Sequence, residues 1–333
     1  MPQTAQSHRV LPESACRPPC DPGLVRFRTL TPISVTPPFL AAFQLWRRPL
    51  SLPTDTHIYG DGMRLYRANP ADGIVWITGA STGIGRALAL HLARQGYTVA
   101  ATARAEDNLG SITRESVEMK GRIFTFPCDV TNETGMERTV IAIEKTLGPI
   151  VLAVFNAGAY LPVRGDRLET TNFLRSYQIN VFGTLNGLVP VADRMRDRGY
   201  GQIAVMGSVT AFFGMPSAAA YGSTKAALNN MLEGLRFDLE KMNIRAQIIN
   251  PGFVATPLTE KTSFRMPALL TVDQASRRIA AGLRRGGYEI TFPRRLVWPL
   301  KFLRLFPKPI VFFVLNRLTG WNKRPVGPRK TRR

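Results

Sequence analysis

Tyr221 and Lys225 stand four residues apart in a run of small residues, AAAYGSTKAA. On a helix that spacing is about one turn, so phenol and ammonium are neighbours on one face. An isolated tyrosine, with a pKa near ~10, is only about 0.1% phenolate at neutral pH. A cation held beside it favours the phenolate and brings the group toward useful proton exchange. Ser208 follows the apolar, strand-like run 201–207 and can aim a hydroxyl at the same point. The three together outline a proton-transfer site that needs an electron-transfer partner. The same Tyr–Lys spacing also occurs on ordinary surface helices, so the weight must come from elsewhere in the chain.

A second cluster supplies it. The buried-strand pattern IVWIT (74–78) turns at once into Gly79-Ala80-Ser81-Thr82-Gly83-Ile84-Gly85, and a helical pattern follows, RALALHLARQG. Three glycines between strand and helix allow a tight turn, and they let a pyrophosphate approach backbone N–H groups at a helix N-terminus. The spacing, G-x-x-x-G-x-G, only approximates the common G-x-G-x-x-G dinucleotide fingerprint.

The elements needed to hold these two clusters alternate along the chain. Strand patterns occur at 97–103, 122–126, 150–155, 201–207, 244–250 and 288–292. Helical patterns fall at about 105–119, 132–147, 168–198, the Tyr/Lys segment and 271–285. Such alternation predicts an α/β fold, a Rossmann-like doubly wound parallel sheet in a single domain with helices on both faces. Residues 1–72, rich in Pro, Ser and Thr, are expected to be a mostly disordered extension. They read either as a transit peptide or as sequence ahead of a natural start at Met63. The domain is then 73–292, followed by a basic amphipathic tail, 293–333.

The seven segments TGASTGIG (78–85), Asp129-Val130, NAG (156–158), Asn180, Ser208, YGSTK (221–225) and PGFVATP (251–257) together resemble the short-chain dehydrogenases/reductases, in order and spacing, over about 74–292. The resemblance implies an NAD(P)-dependent enzyme acting on CH–OH groups, with the cofactor across the carboxyl ends of the strands. It implies that the turn Gly79, Ser81, Thr82, Gly83, Ile84 and Gly85 lines the pyrophosphate and that Asp129 and Val130 meet the adenine. Asn156, Ala157 and Gly158 would run beside the nicotinamide ribose, with Asn156 also tying adjacent strands. Pro251, Gly252, Val254 and Thr256 would close over the carboxamide or phosphate. Tyr221 would be the general acid/base. Lys225 would hold the ribose and lower the tyrosine's pKa, Ser208 would bind the substrate oxygen, and Asn180 would hold a proton-relaying water. A rival reading keeps the fold as a non-catalytic, NAD(P)-binding regulator.

Cofactor choice follows from charge. The second strand ends Thr102-Ala103-Arg104 without an acid to bond both ribose hydroxyls, and Arg104 offers a guanidinium to a 2′-phosphate, so NADP(H) is expected over NAD. Glu106 and Asp107 pull the other way. Phe253, Phe264, Met266, Leu269 and Leu270, with Phe212, Phe213 and Met215, suggest an apolar pocket for a small hydrophobic ketone, aldehyde or alcohol, or else core positions.

The net charge of +21 is concentrated at one end, since residues 284–333 hold 14 Lys/Arg against the single acid Glu289. A localised tail charge argues against nucleic-acid binding. Basic residues interleaved with Trp298, Phe302, Leu305 and Phe306 suit either peripheral membrane contact through 293–318 or packing on the domain or a homo-oligomer partner. Prolines 299, 307 and 309 are expected to break that segment. Cys16, Cys20 and Cys128 form no disulfide framework, and no metal motif is present, so a cytoplasmic, metal-free protein is expected.

Overall fold

The computed structural model describes residues 65–104, 106–260 and 266–327, without the side chains of 106–108. Seven strands form one parallel sheet: β1 (Ile74–Thr78), β2 (Thr98–Thr102), β3 (Ile123–Thr125), β4 (Ile150–Phe155), β5 (Gly201–Met206), β6 (Ile244–Pro251) and β7 (Glu289–Phe292). Their spatial order is β3-β2-β1-β4-β5-β6-β7. The chain therefore winds outward from β1 in one direction, then restarts at β4 in the other. Between the carboxyl ends of β1 and β4 lies the switch point where open α/β sheets bind ligands.

Buried on both faces, the strands alternate their side chains between two cores. Val75 and Ile77 enter one, with Leu88 and Leu92 of α1 (Gly83–Arg94) and Ile279 and Leu283 of a later helix, Val272–Arg285. Ile74 and Trp76 enter the other. There they meet Val140 and Ile143 of Glu133–Leu147, Leu188 and Val191 of Gly183–Arg198, and Leu228 and Leu232 of Ala219–Lys241. In chain order the remaining helices are α2 (Glu106–Glu115), α3 (Glu133–Leu147), α4 (Thr170–Tyr177), α5 (Gly183–Arg198), α6 (Ala219–Lys241), α7 (Val272–Arg285), α8 (Arg294–Leu303) and α9 (Lys308–Thr319). This is the Rossmann-like arrangement expected from the alternating patterns.

Three local outcomes differ from expectation. Residues 65–72, assigned to the extension by composition, are hydrogen-bonded to the domain: the Tyr66 N–H donates to Asn243, the Ala68 N–H donates to Gln202, and Arg245 donates to the Leu65 and Tyr66 carbonyls. The rest of the expected extension and the Met63 start lie outside the described residues. The long helical stretch before β5 is interrupted by a π turn, Gln178–Phe182, between α4 and α5. Pro299 sits inside α8 rather than ending it, and Pro307 and Pro309 open α9, where a missing N–H costs nothing. No helix among the described residues is long and apolar enough to cross a membrane.

Candidate active site

β1 ends at Thr78, and its hydroxyl accepts the N–H groups of Asn156 and Ala157. Asn156 answers by donating its side-chain amide to the carbonyls of Thr78 and Gly79. These bonds lock the ends of β1 and β4 together, the strand-tying role expected of Asn156. Gly79 has φ +66°, and a Cβ there would fall 2.7 Å from Ala157 Cα, so the turn requires glycine. A Cβ on Gly85 would lie 2.3 Å from the Gly79 carbonyl oxygen. Gly85 therefore closes the turn from behind and is not part of the wall it helps to shape. α1 starts at Gly83 with no acid in its first turn and no side-chain cap from Thr82, which leaves its free N–H groups and positive dipole end available to an anion.

In front of this turn lies a cleft of about 680 Å³. Ser81, Thr82, Gly83 and Ile84 form its floor side, Ala103, Arg104, Asp129 and Val130 one end, and Asn156 to Gly158 the middle. Ser208, Tyr221 and Lys225 line it as well, and so do Pro251, Gly252, Val254 and Thr256. Gly83 and Thr256 approach each other across it, the threonine methyl being 3.4 Å from where a Cβ on Gly83 would lie. Of the catalytic and cofactor-binding residues expected from the sequence, all line this cleft except Gly85 and Asn180.

Asn180 sits in the π turn, fully buried one layer behind the wall. Its side-chain oxygen accepts the Ala159 N–H at 2.7 Å, and its amide donates to the Ala159 carbonyl and to Thr224 Oγ1, each at 3.0 Å. It clamps the loop after β4 to α6, so its direct effect is to position the wall that carries Gly158 and Lys225.

Ser208, Tyr221 and Lys225, the residues expected to carry the chemistry, are brought together by long-range packing. Ser208 follows β5, and its N–H donates to Asn250 Oδ1 at the end of β6. Asn250 also exchanges hydrogen bonds with Asn229 of α6 and donates to Glu289 of β7. That buried girder aligns the serine strand with the helix carrying Tyr221 and Lys225. Asn250 was not singled out from the sequence. The signal available was a polar residue ending the apolar run IRAQII immediately before Pro251.

Burial overturns one electrostatic expectation. The Tyr221 pKa is pushed up to about 12, because burial penalises the phenolate; the Ser208 hydrogen bond works in the opposite direction, and Tyr160 adds to the rise. Lys225 does not lower it. The Lys225 ammonium donates at 2.6 Å to the Met206 carbonyl and lies 5.6 Å from the centre of the Tyr221 ring. Its own pKa is brought down to about 8 by burial. Tyr160, two residues beyond the NAG motif and also missed, packs edge-on against Tyr221 with ring centres 5.4 Å apart. Arg104 and Asp129 face each other at 3.9 Å, and with 70% of its side chain exposed the arginine is free to turn toward a ligand.

Of the residues expected to make an apolar pocket, Phe253 and Met215 line the cleft, joined by Val209 and Leu258. Phe212 and Phe213 do not; Phe213 is buried against Val311 and Leu315 of α9, with Phe212 packed beside it. Leu270 is core, paired to Val254 by a β-bridge, and Leu269 is exposed. Phe264 lies outside the described residues. Among the described residues no group of acidic, His and Cys side chains could hold a metal ion.

The cleft's donors fit a dinucleotide: an open helix N-terminus for pyrophosphate, a cation at the far end and a buried ammonium beside Gly158. The family model for the short chain dehydrogenases matches residues 73–266. An uncharacterized oxidoreductase of Myxococcus xanthus is 32% identical over 242 residues, 73% of this chain and 96% of that protein. The 3-oxoacyl-(acyl-carrier-protein) reductase FabG of Thermotoga maritima is 30% identical over 185 residues, 56% of this chain and 75% of its own. A crystallographic alcohol dehydrogenase from the archaeon Thermococcus sibiricus, complexed with 5-hydroxy-NADP, superposes with a TM-score of 0.60 at 26% identity, over 66% of this chain and 95% of that one. This chain belongs to the short-chain dehydrogenase family and is an NAD(P)-dependent oxidoreductase acting on CH–OH groups.

Proposed function

We propose that this enzyme interconverts a hydrophobic ketone or aldehyde and its alcohol, prefers NADP(H), and uses Tyr221 as general acid and base. The observation that carries the reading is the convergence of the Tyr221 phenol, the Ser208 hydroxyl and the Lys225 ammonium in the cleft whose floor is the glycine turn.

A bound nicotinamide cofactor supplies the hydride to the carbonyl carbon, or accepts it in the reverse direction. As that carbon gains the hydride, the C=O π electrons move onto oxygen, where Ser208 donates a hydrogen bond to the growing charge. Tyr221, held protonated by burial, gives its proton to the same oxygen and completes the alcohol. Lys225 uses one donor on the Met206 carbonyl and keeps two for the cofactor's ribose. Met215, Phe253, Val209 and Leu258 favour an apolar substrate over a sugar.

The preference for NADP(H) rests on Arg104, two residues past the end of β2 with no acid in its place, and the 5-hydroxy-NADP complex of the archaeal relative supports it. Tyr221→Phe keeps the ring and removes the proton. It is expected to lower turnover of apolar ketones at least about a hundredfold, followed by NADPH absorbance, with NADPH binding retained. Unchanged turnover would refute the role of Tyr221. Cofactor binding without turnover in the wild type would instead support a regulator.

A further inference from the structure

The C-terminal helices present an unusual surface. α9 buries Val311 and Leu315 on Phe213 and leaves Ile310, Phe312, Phe313 and Leu318 exposed. On α8, Trp298 and Phe302 are one turn apart, and Leu305 follows in the turn just past the helix; they are 67%, 62% and 78% exposed. Phe302 also stacks edge-on with Phe306 at 5.2 Å. Large exposed apolar side chains at this density mark an interaction surface.

Charge identifies the occupant. Residues 293–327 contain eight Lys/Arg and no acid. Arg294 and Arg295 flank the exposed face of α8, and Lys308 and Arg317 that of α9, all of them exposed. The nearest acid in sequence, Glu289, is already occupied by Lys301 and Asn250, and Asp166, which accepts the Gly327 N–H, is paired with Arg164. A second copy docked on this face would set cations against cations with nothing to neutralise them. An anionic bilayer satisfies both halves: its headgroups pair with the cations while Trp and Phe enter the boundary below. Neither helix can span, so the pair would lie along the surface.

We propose that α8 and α9 form an interfacial docking surface for an anionic lipid bilayer. The surface is joined to the cleft, because Met215 packs beside the Phe213–Val311–Leu315 cluster and also lines the cavity. Docking would hold that side of the mouth against the membrane, where an apolar substrate is concentrated. The docking itself stands apart from the catalytic reading and is measured without turnover.

The test is sedimentation of the purified full chain with vesicles of phosphatidylcholine alone or mixed with phosphatidylglycerol. Binding is expected with the mixed vesicles, weaker binding with the neutral ones, and a decline as salt screens the cations. Each cation removed should lower partitioning about fivefold, so Arg294→Gln with Arg295→Gln should lower it about 25-fold. Phe302→Ser with Phe313→Ser alters only exposed positions and should also weaken binding, with NADPH affinity unchanged as the control for folding. Equal partitioning of wild type and variants would overturn the proposal, as would no partitioning to anionic vesicles. Self-association abolished by the Phe variant, without vesicle binding, would assign the face to a second copy and overturn it too.

Discussion

Lys225→Met tests the central electrostatic claim, that the ammonium is held where water cannot solvate it. Methionine keeps the length of the side chain and removes the charge. In the folded protein the lysine titrates at about 8, against an ordinary value of 10.5. Between those values the unfolded chain still holds a proton that the folded chain has lost. Stability must therefore rise with pH through this window, and below it the full penalty, on the order of 3 kcal/mol, is present. Integrated from about pH 7.5 to about pH 10, the wild type should gain about 2 kcal/mol relative to the variant. Tyr221 acts with the opposite sign and at higher pH: with its folded pKa raised to about 12, its contribution is lost only as pH climbs beyond about 10. Urea unfolding of both proteins at the two pH values, at equal m-value, measures the difference. Parallel stability curves would refute the burial argument. A second reading of the same group comes from NADPH titration. About one unit above its pKa the lysine is roughly nine-tenths neutral, so if the ammonium holds the ribose, affinity near pH 9 should be about tenfold weaker than on the low-pH plateau. Lys225→Met should bind weakly at every pH, without that slope.

Arg104→Gln should lower the preference for NADPH over NADH about 10- to 100-fold, the value of one charge-assisted hydrogen bond, as measured by the ratio of kcat/KM. Because its 3.9 Å contact with Asp129 is largely exposed, stability should move by less than about 0.5 kcal/mol. Gly85→Ala forces a Cβ to within 2.3 Å of the Gly79 carbonyl oxygen and should cost about 1–3 kcal/mol, seen as a lowered Tm. A variant as stable as the wild type would mean that the turn has room the geometry denies.

Much of the fold was legible in the chain. Strand and helix patterns alternate along the chain, as β1 through β7 and the helices between them do, because burial on both faces of a parallel sheet leaves near-continuous apolar runs. The glycine turn was legible for a local reason as well, since Gly79 needs a left-handed backbone wherever the rest of the chain lies. The same holds for Tyr221 and Lys225, whose adjacency is a property of helix geometry. Residues 65–72 were misread because composition reports what a segment can bury, whereas these backbone groups are tied by side chains far along the chain, Gln202, Asn243 and Arg245.

What tertiary structure alone decided is the environment. Ser208 meets Tyr221 because Asn250 and Asn229 hold strand and helix in register, a contact between elements distant in sequence. Asn180 turns away from the cleft because a π turn rotates it toward Ala159 and Thr224. Phe213 was available for the pocket until α9 covered it. The Tyr–Lys spacing suggested a lowered tyrosine pKa, and the structure raises it. Spacing sets only the distance between two groups, whereas a pKa also depends on how much water the surrounding protein excludes, and that is known only once every element is packed.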